Sequence, residues 1–196
     1  MKKLASLMVL GVLMNLSPAP AEGDFFPLQV GHWWKYRSTF NGKTSDFTIK
    51  VMKKVGDKFL VETTSAQIID DLYAKPAGWV EIHKSTYPQS KMTTDLKPPR
   101  KLLKNPLTVG DHWTWKGTGM MGVAIEEKNT VGADIKITVP AGQFTGRKVE
   151  TAIVQGGAKV SKRYYYADGV GLVKSETNSS GVKSSTELID YSFKRR

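Results

Sequence analysis

The chain has 196 residues, no cysteine, and a formal charge of +11 from 29 Lys and Arg against 18 Asp and Glu. That length suits one domain or two small fused halves, and with no disulfide available the fold must be held by burial alone. A basic balance favours anionic partners such as lipid headgroups, lipopolysaccharide, cell-wall polymers or nucleic acid. Here, however, the cations are spread along the chain, dense only in KPPRKLLK (Lys97 to Lys104) and at Lys194, Arg195 and Arg196, as on a solvated cationic surface.

The N-terminus reads as a signal peptide over residues 1–21. Lys2 and Lys3 form a charged start, Leu4 to Leu16 an apolar run, and Ala19-Pro20-Ala21 the small-x-small site that a signal peptidase admits. The apolar run is too short for the roughly 20 residues that a membrane-spanning helix needs. No cysteine follows it, so lipid attachment at a new N-terminal Cys is excluded. The expectation is an exported chain beginning at Glu22, periplasmic or extracellular, with no transmembrane segment after cleavage.

Beyond the leader, the signals are strands and turns. PLQVGHWWKY (Pro27 to Tyr36) opens a strand with His32, Trp34, Tyr36, Ser38 and Phe40 on one face and Trp33, Lys35, Arg37 and Thr39 on the other. Asn41-Gly42 suits a type I′ hairpin turn. The return strand sets Phe47, Ile49 and Val51 against Thr48, Lys50 and Met52, and Gly56-Asp57 turns into KFLVETT. The Pro-rich DLKPPRKLLKNP reads as a crossing with a single helical turn. PLTVGDHWTW (Pro106 to Trp115) then repeats the opening word, and GTGMMG reads as a loop.

DIKITV aligns Ile135, Ile137 and Val139, and KVETAIV aligns Val149, Thr151 and Ile153. KRYYYADGVGLVK turns at Asp168-Gly169, and LIDYSF aligns Ile189, Tyr191 and Phe193. No stretch keeps a helical period. The fold class is therefore all-β and antiparallel, with about a dozen strands in a curved or barrel-like sheet.

Two further echoes support an internal repeat. KVGDKFLVETT is answered by TVGADIKITVP, and YAKPAGWV by YADGVGLV, in the same order as the first pair. Residues 22–105 and 106–196 are thus expected to be related β halves of one shared domain. Trp34 and Trp113, with Tyr36 and Trp115, supply their matching anchors.

With PLxVGxxWxY, VPAGQF (Val139 to Phe144) and YYADGVGLVK (Tyr165 to Lys174), the chain resembles a family of exported bacterial β-proteins of unknown function. The resemblance covers most of the mature chain. It implies a curved or closed antiparallel sheet, similar to the half-barrel of envelope lipoprotein carriers, and no activity or site residue. Many such relatives look like lipoproteins, and the missing cysteine departs from that pattern.

Catalytic patterns are sparse. His32 and Asp111 hold matching places in the repeats, with His112 beside Asp111, but strand parity sets His32 and His112 on opposite faces. His83 has only Glu81 near it. Asp70-Asp71 and Glu126-Glu127 are adjacent pairs, which a strand sends to opposite faces. No metal, cofactor or catalytic residue is assigned, and the chain is read as a non-enzyme.

The candidate ligand contacts are Trp33, Lys35 and Arg37 on the face opposite Trp34, with Arg163 and Tyr165 on a second strand. Rings beside cations suit lipid headgroups, sugars or bases, and export disfavours nucleic acid. The leading reading is an exported β-domain binding an apolar or anionic envelope ligand. The alternatives are an assembly module that binds a protein by a sheet edge, and a hydrolase with a dispersed acidic site. N-terminal sequencing of the exported protein should give a start at or near Glu22; intact Met1 in the membrane fraction would refute the leader.

Overall fold

A computed structural model describes residues 23–194; the leader lies outside the described residues. Twelve strands follow in order: β1 (Trp33–Phe40), β2 (Lys43–Val55), β3 (Lys58–Thr64), β4 (Ile68–Ala74), β5 (Trp79–Tyr87) and β6 (Met92–Lys104), then β7 (His112–Thr118), β8 (Ala124–Val139), β9 (Gly142–Gln155), β10 (Ala158–Ala167), β11 (Gly171–Ser179) and β12 (Val182–Tyr191). Each pairs antiparallel with its chain neighbour, except β6 with β7, and β12 returns to pair with β1. The result is one meander rolled into a nearly closed barrel, with a seam between β6 and β7.

Local chemistry sets the turns. Asn41 and Gly42 both take positive φ, 47° and 73°, as a type I′ hairpin requires. The repeated opening words build one device twice. Gly31 and Gly110 sit at φ 89° and 86°. The Gly31 N–H donates to Val51 O and the Val51 N–H to His32 O, while Gly110 and Val131 make the corresponding bonds with Val131 O and Asp111 O. In each case a left-handed bend hooks the incoming strand onto its hairpin partner.

One expectation is corrected, and one echo departs from its counterpart. DLKPPRKLLKNP is no crossing: it lies almost wholly in β6, as an edge strand. Its register on β5 breaks between Ile82 and Lys84, where Arg100 and Asp95 are the successive partners, so Pro98 and Pro99 stand in a bulge and spare the ladder their missing N–H groups. In the echo of the Gly56-Asp57 turn, Gly132 and Ala133 form a bulge inside β8 instead, where the register slips between Val131 and Asp134.

That bulge gives VPAGQF its place. Beyond it the β8–β9 hairpin leaves the wall and folds over the outer face of β11 and β12. Its tip is tied by the Ala141 N–H to Leu188 O at 3.0 Å. Ile137 and Val139 join Tyr165, Ala167 and Val173 in a core with partly buried Phe144 and Tyr191. Gly146 marks the crossing, because a Cβ there would overlap the Tyr166 carbonyl.

Trp34, Tyr36, Trp113 and Trp115 are all buried. All four also donate to main-chain oxygens: Trp34 to Val170 at 2.7 Å, Tyr36 to Leu172 at 2.8 Å, Trp113 to Lys101 at 3.0 Å and Trp115 to Pro98 at 3.2 Å. Trp34→Ala and Trp113→Ala should each cost about 3–5 kcal/mol, as for other buried large aromatics. Lys50→Ala and Lys136→Ala, on exposed positions, should cost less than about 0.5 kcal/mol. Denaturant midpoints measure the contrast.

Candidate functional site

The segment Gly23 to Val30 runs across one end of the barrel and plugs it. Asp24 is its anchor. The Asp24 carboxylate takes the Lys75 ammonium at 2.8 Å and the Asn105 amide at 2.9 Å, and its main-chain oxygen accepts the Gly169 N–H at 2.9 Å. Burial opposes ionisation here, but Lys75, the Phe26 N–H and Asn105 together hold the carboxyl below its ordinary range. Three loops of the barrel end are thereby tied to one residue, two through its carboxylate and one through its main-chain oxygen. Phe25 packs with Leu103, Leu107 and Val80, and Phe26 stacks on Tyr73 at 5.5 Å.

Beneath the plug lies a cavity of about 140 Å³ lined by Phe26, Trp34, Tyr36, Tyr73, Tyr164, Leu172 and their aliphatic neighbours. Tyrosines give it a polar accent. Burial pushes the Tyr36 hydroxyl well above its ordinary value, and burial with the Asp71 carboxylate does the same at Tyr73. Both phenols stay neutral, so they are hydrogen-bond donors rather than anions.

Away from the plug the inner face changes character. Residues opposite one another in a ladder share a face. From Tyr164 one row runs Ser175, Thr186, Ser38, Ser45; the next runs Asn129, Thr151, Lys162, Thr177, Ser184 and ends on the exposed Phe40 and Lys43. An apolar, plugged end thus gives way to a lane of hydroxyls.

At the seam, Arg100 of β6 meets Glu127 of β8 in a two-point pair, with nitrogen–oxygen distances of 2.8 and 3.0 Å. Glu127 is 4% exposed. Asn129 accepts from Thr151 at 2.7 Å, while its Nδ2 is buried without a protein partner among the described residues. Asp71, inside and bonded by Ser85, has its carboxyl raised, chiefly by burial.

The residues singled out in the sequence lie on the outer face. Trp33, Lys35 and Arg37 are on β1, with Arg37 held two-fold by Asp46 at 2.9 and 3.1 Å and Lys35 at 3.8 Å from the same carboxylate. Arg163 lies 3.3 Å from Glu176, which also accepts the Tyr165 hydroxyl at 3.1 Å. The register brings the two groups together: Tyr165, Lys174, Glu187, Arg37 and Asp46 form one row across five strands. It is a ladder of alternating charge, each cation with a carboxylate.

The histidines are not brought together. His32 stacks on Phe193 at 4.0 Å and faces Pro27 O through Nδ1, while His83 lies 3.3 Å from Glu81. The acidic pairs split across the wall, Glu126 to Lys116 and Lys128 outside and Glu127 to Arg100 inside.

Arg100, Glu127, Asp71 and Lys162 escape a reading by sequence for definite reasons. Arg100 sits in the segment taken for a crossing. Period two groups Lys162 with Tyr164 and Tyr166, opposite Arg163 and Tyr165, but nothing in the sequence says which of those faces is inside.

Wall, plug and chamber define the class: a single-chain antiparallel β-barrel with an enclosed aromatic interior. The chain belongs to the DUF3108-like family, which it matches over residues 42–189. In fold it is similar to a candidate lipoprotein of Parabacteroides distasonis, with a TM-score of 0.50, 16% identity, and coverage of 87% of this chain and 99% of that one. It is similar also to a candidate exported protein with a YmcC-like fold from Bacteroides fragilis, with a TM-score of 0.50, 15% identity, and coverage of 87% and 100%. No curated protein matches the sequence. Among the described residues no helix is long and apolar enough to cross a membrane.

Asp71 gives a pH test. Its raised carboxyl takes up a proton on folding, so its cost is absent below the ordinary Asp value and fully present above the raised one. Asp71→Asn should therefore raise the denaturant midpoint at neutral pH, and the gain should shrink as pH falls through that window. A gain that grew toward acid would contradict the assignment.

Proposed function

We propose that the protein is an exported, non-enzymatic binding protein of the bacterial envelope that takes the apolar part of a small ligand into the chamber beneath the plug. The observation that carries this reading is the enclosed, aromatic-lined cavity of about 140 Å³ at the closed end of a barrel. Wide barrels hold ligands where side chains leave space. The leader, and the names of the two structural relatives as lipoprotein and exported protein, favour the envelope. Residues 22–105 and 106–196 are taken as related halves enclosing that one chamber.

The outer set Trp33, Lys35, Arg37, Arg163 and Tyr165 is the competing ligand surface. Its cations are engaged by Asp46 and Glu176, so an anion there would have to displace a carboxylate. Binding by a sheet edge is less favoured, since the edges β6 and β7 face each other and the Trp113 and Trp115 indoles occupy carbonyls along β6. A hydrolase reading has little support, because the paired carboxylates have been split to opposite sides of the wall.

Native mass spectrometry of protein purified from its own envelope should retain a small apolar or amphiphilic molecule. In solution, a neutral solvatochromic dye should bind, and Leu172→Trp, which fills the chamber, should weaken it by about tenfold or more, a loss of about 1.4 kcal/mol. Far-UV circular dichroism checks that this variant folds. Changing His32, His83 and His112 together to Gln should leave the affinity intact, as should Trp33→Ala with Lys35→Ala and Arg37→Ala. Loss of binding in the last variant, with Leu172→Trp unaffected, would move the site to the outer face.

A further inference from the structure

Among the described residues, charges on the inner face include Asp71, Arg100, Glu127 and Lys162, with Lys43 at the exposed end of the Lys162 row. Arg100 and Glu127 satisfy each other, and Asp71 is bonded by Ser85. Lys162 differs. Its direct neighbours in the sheet are Thr151 on β9 and Thr177 on β11. The diagonal positions, within reach of long side chains, are Val149, Ile153, Ser175 and Ser179, so no carboxylate stands beside it. One residue along, on the outer face, Arg163 lies between Glu150 and Glu176. The same strand thus pairs its outer cation with two acids and surrounds its inner cation with hydroxyls and methyl groups.

Position adds to this. Lys162 is half-buried and two residues from Tyr164, which lines the chamber. On an extended strand that is about 7 Å. An ammonium therefore stands between the hydroxyl lane and the apolar chamber, on the side away from the plug. Ser175, Thr177, Ser184 and Thr186 face the same side and supply neutral donors around it.

We infer that the chamber takes a single-chain amphiphile with an anionic head, its tail among the rings and its head on the Lys162 ammonium and the surrounding hydroxyls. This rests on the chamber being the binding site, and adds the charge and direction of the ligand. A lone ammonium in a partly desolvated lane favours an anion because the charge-assisted hydrogen bond replaces one that water supplied poorly there. A cationic head placed at Lys162 would meet repulsion from its ammonium, and no carboxylate stands among the ladder and diagonal neighbours there.

The test uses three probes of one chain length, decanoate, decanol and decyltrimethylammonium, each displacing a neutral fluorescent dye from the mature protein. Decanoate should bind about tenfold more tightly than decanol, on the scale of one charged hydrogen bond, and the ammonium should bind most weakly. Lys162→Met should remove the preference for decanoate while leaving decanol unchanged, and Lys162→Arg should restore it. Equal binding of all three, or a preference that survives Lys162→Met, overturns the head-group assignment and leaves the chamber standing. Dye and probes that all fail to bind overturn both.

Discussion

Twelve strands enclose more space than side chains can fill, and most of the structure answers that one constraint. Barrels of about eight strands have interiors just wide enough for side chains to pack, whereas wider ones leave room for a ligand, a plug or water. This protein meets the problem from one end. The N-terminal segment is carried across the opening and fastened by Asp24 to Lys75, Asn105 and Gly169. Large rings on β1, β4 and β10 then crowd the space beneath it, until about 140 Å³ remains. Away from the plug, Ser and Thr become common on the inner face, at Ser38, Ser45, Thr151, Ser175, Thr177, Ser184 and Thr186. The amphiphilic interior follows from filling a wide barrel from a single side.

The seam is the second consequence. A meander whose last strand pairs with its first needs one more junction to close, and here β6 and β7 meet without a ladder. Carbonyls left over on β6 are taken by the Trp113 and Trp115 indoles, and Arg100 reaches Glu127 behind them. A buried ion pair is seldom a net gain over apolar packing, but removing one partner is costly. Its value at this place is geometric. A two-point pair accepts only one relative position of the strands it joins, and so fixes a junction that backbone bonds do not fix.

Much of the fold was legible in the sequence because it is written in short-range rules. Asn41-Gly42 and Asp168-Gly169 mark turns, and the alternation around Trp34 and Val149 marks strands. The repeated PLxVG word marks two equivalent hooks, and the matching bonds at Gly31 and Gly110 show why the word recurs. What escaped depends on distance. Two prolines argue against a strand unless a bulge on an edge absorbs them, and only the partner strand reveals that bulge. The echo at Val131 resembles a turn, yet acts as a bend that folds the VPAGQF hairpin over Leu188.

The candidate site was half legible for the same kind of reason. Parity separates Trp33, Lys35 and Arg37 from Trp34 and Tyr36, and Arg163 and Tyr165 from Lys162 and Tyr164, but it is silent on what covers each face. In an ordinary sandwich the face with cations would be the solvated one and the other dry. A wide barrel breaks that equivalence, since its inner face carries buried and half-buried polar groups as well as rings. Tyr165 shows the reverse case: it points outward and is still buried, because the β8–β9 hairpin lies over it. Which face keeps a cation with no carboxylate beside it is therefore decided by the neighbouring strands. Outside, Arg37 and Arg163 face Asp46 and Glu176; inside, Lys162 faces threonines, and that asymmetry leaves the inner cation with no carboxylate among its ladder neighbours.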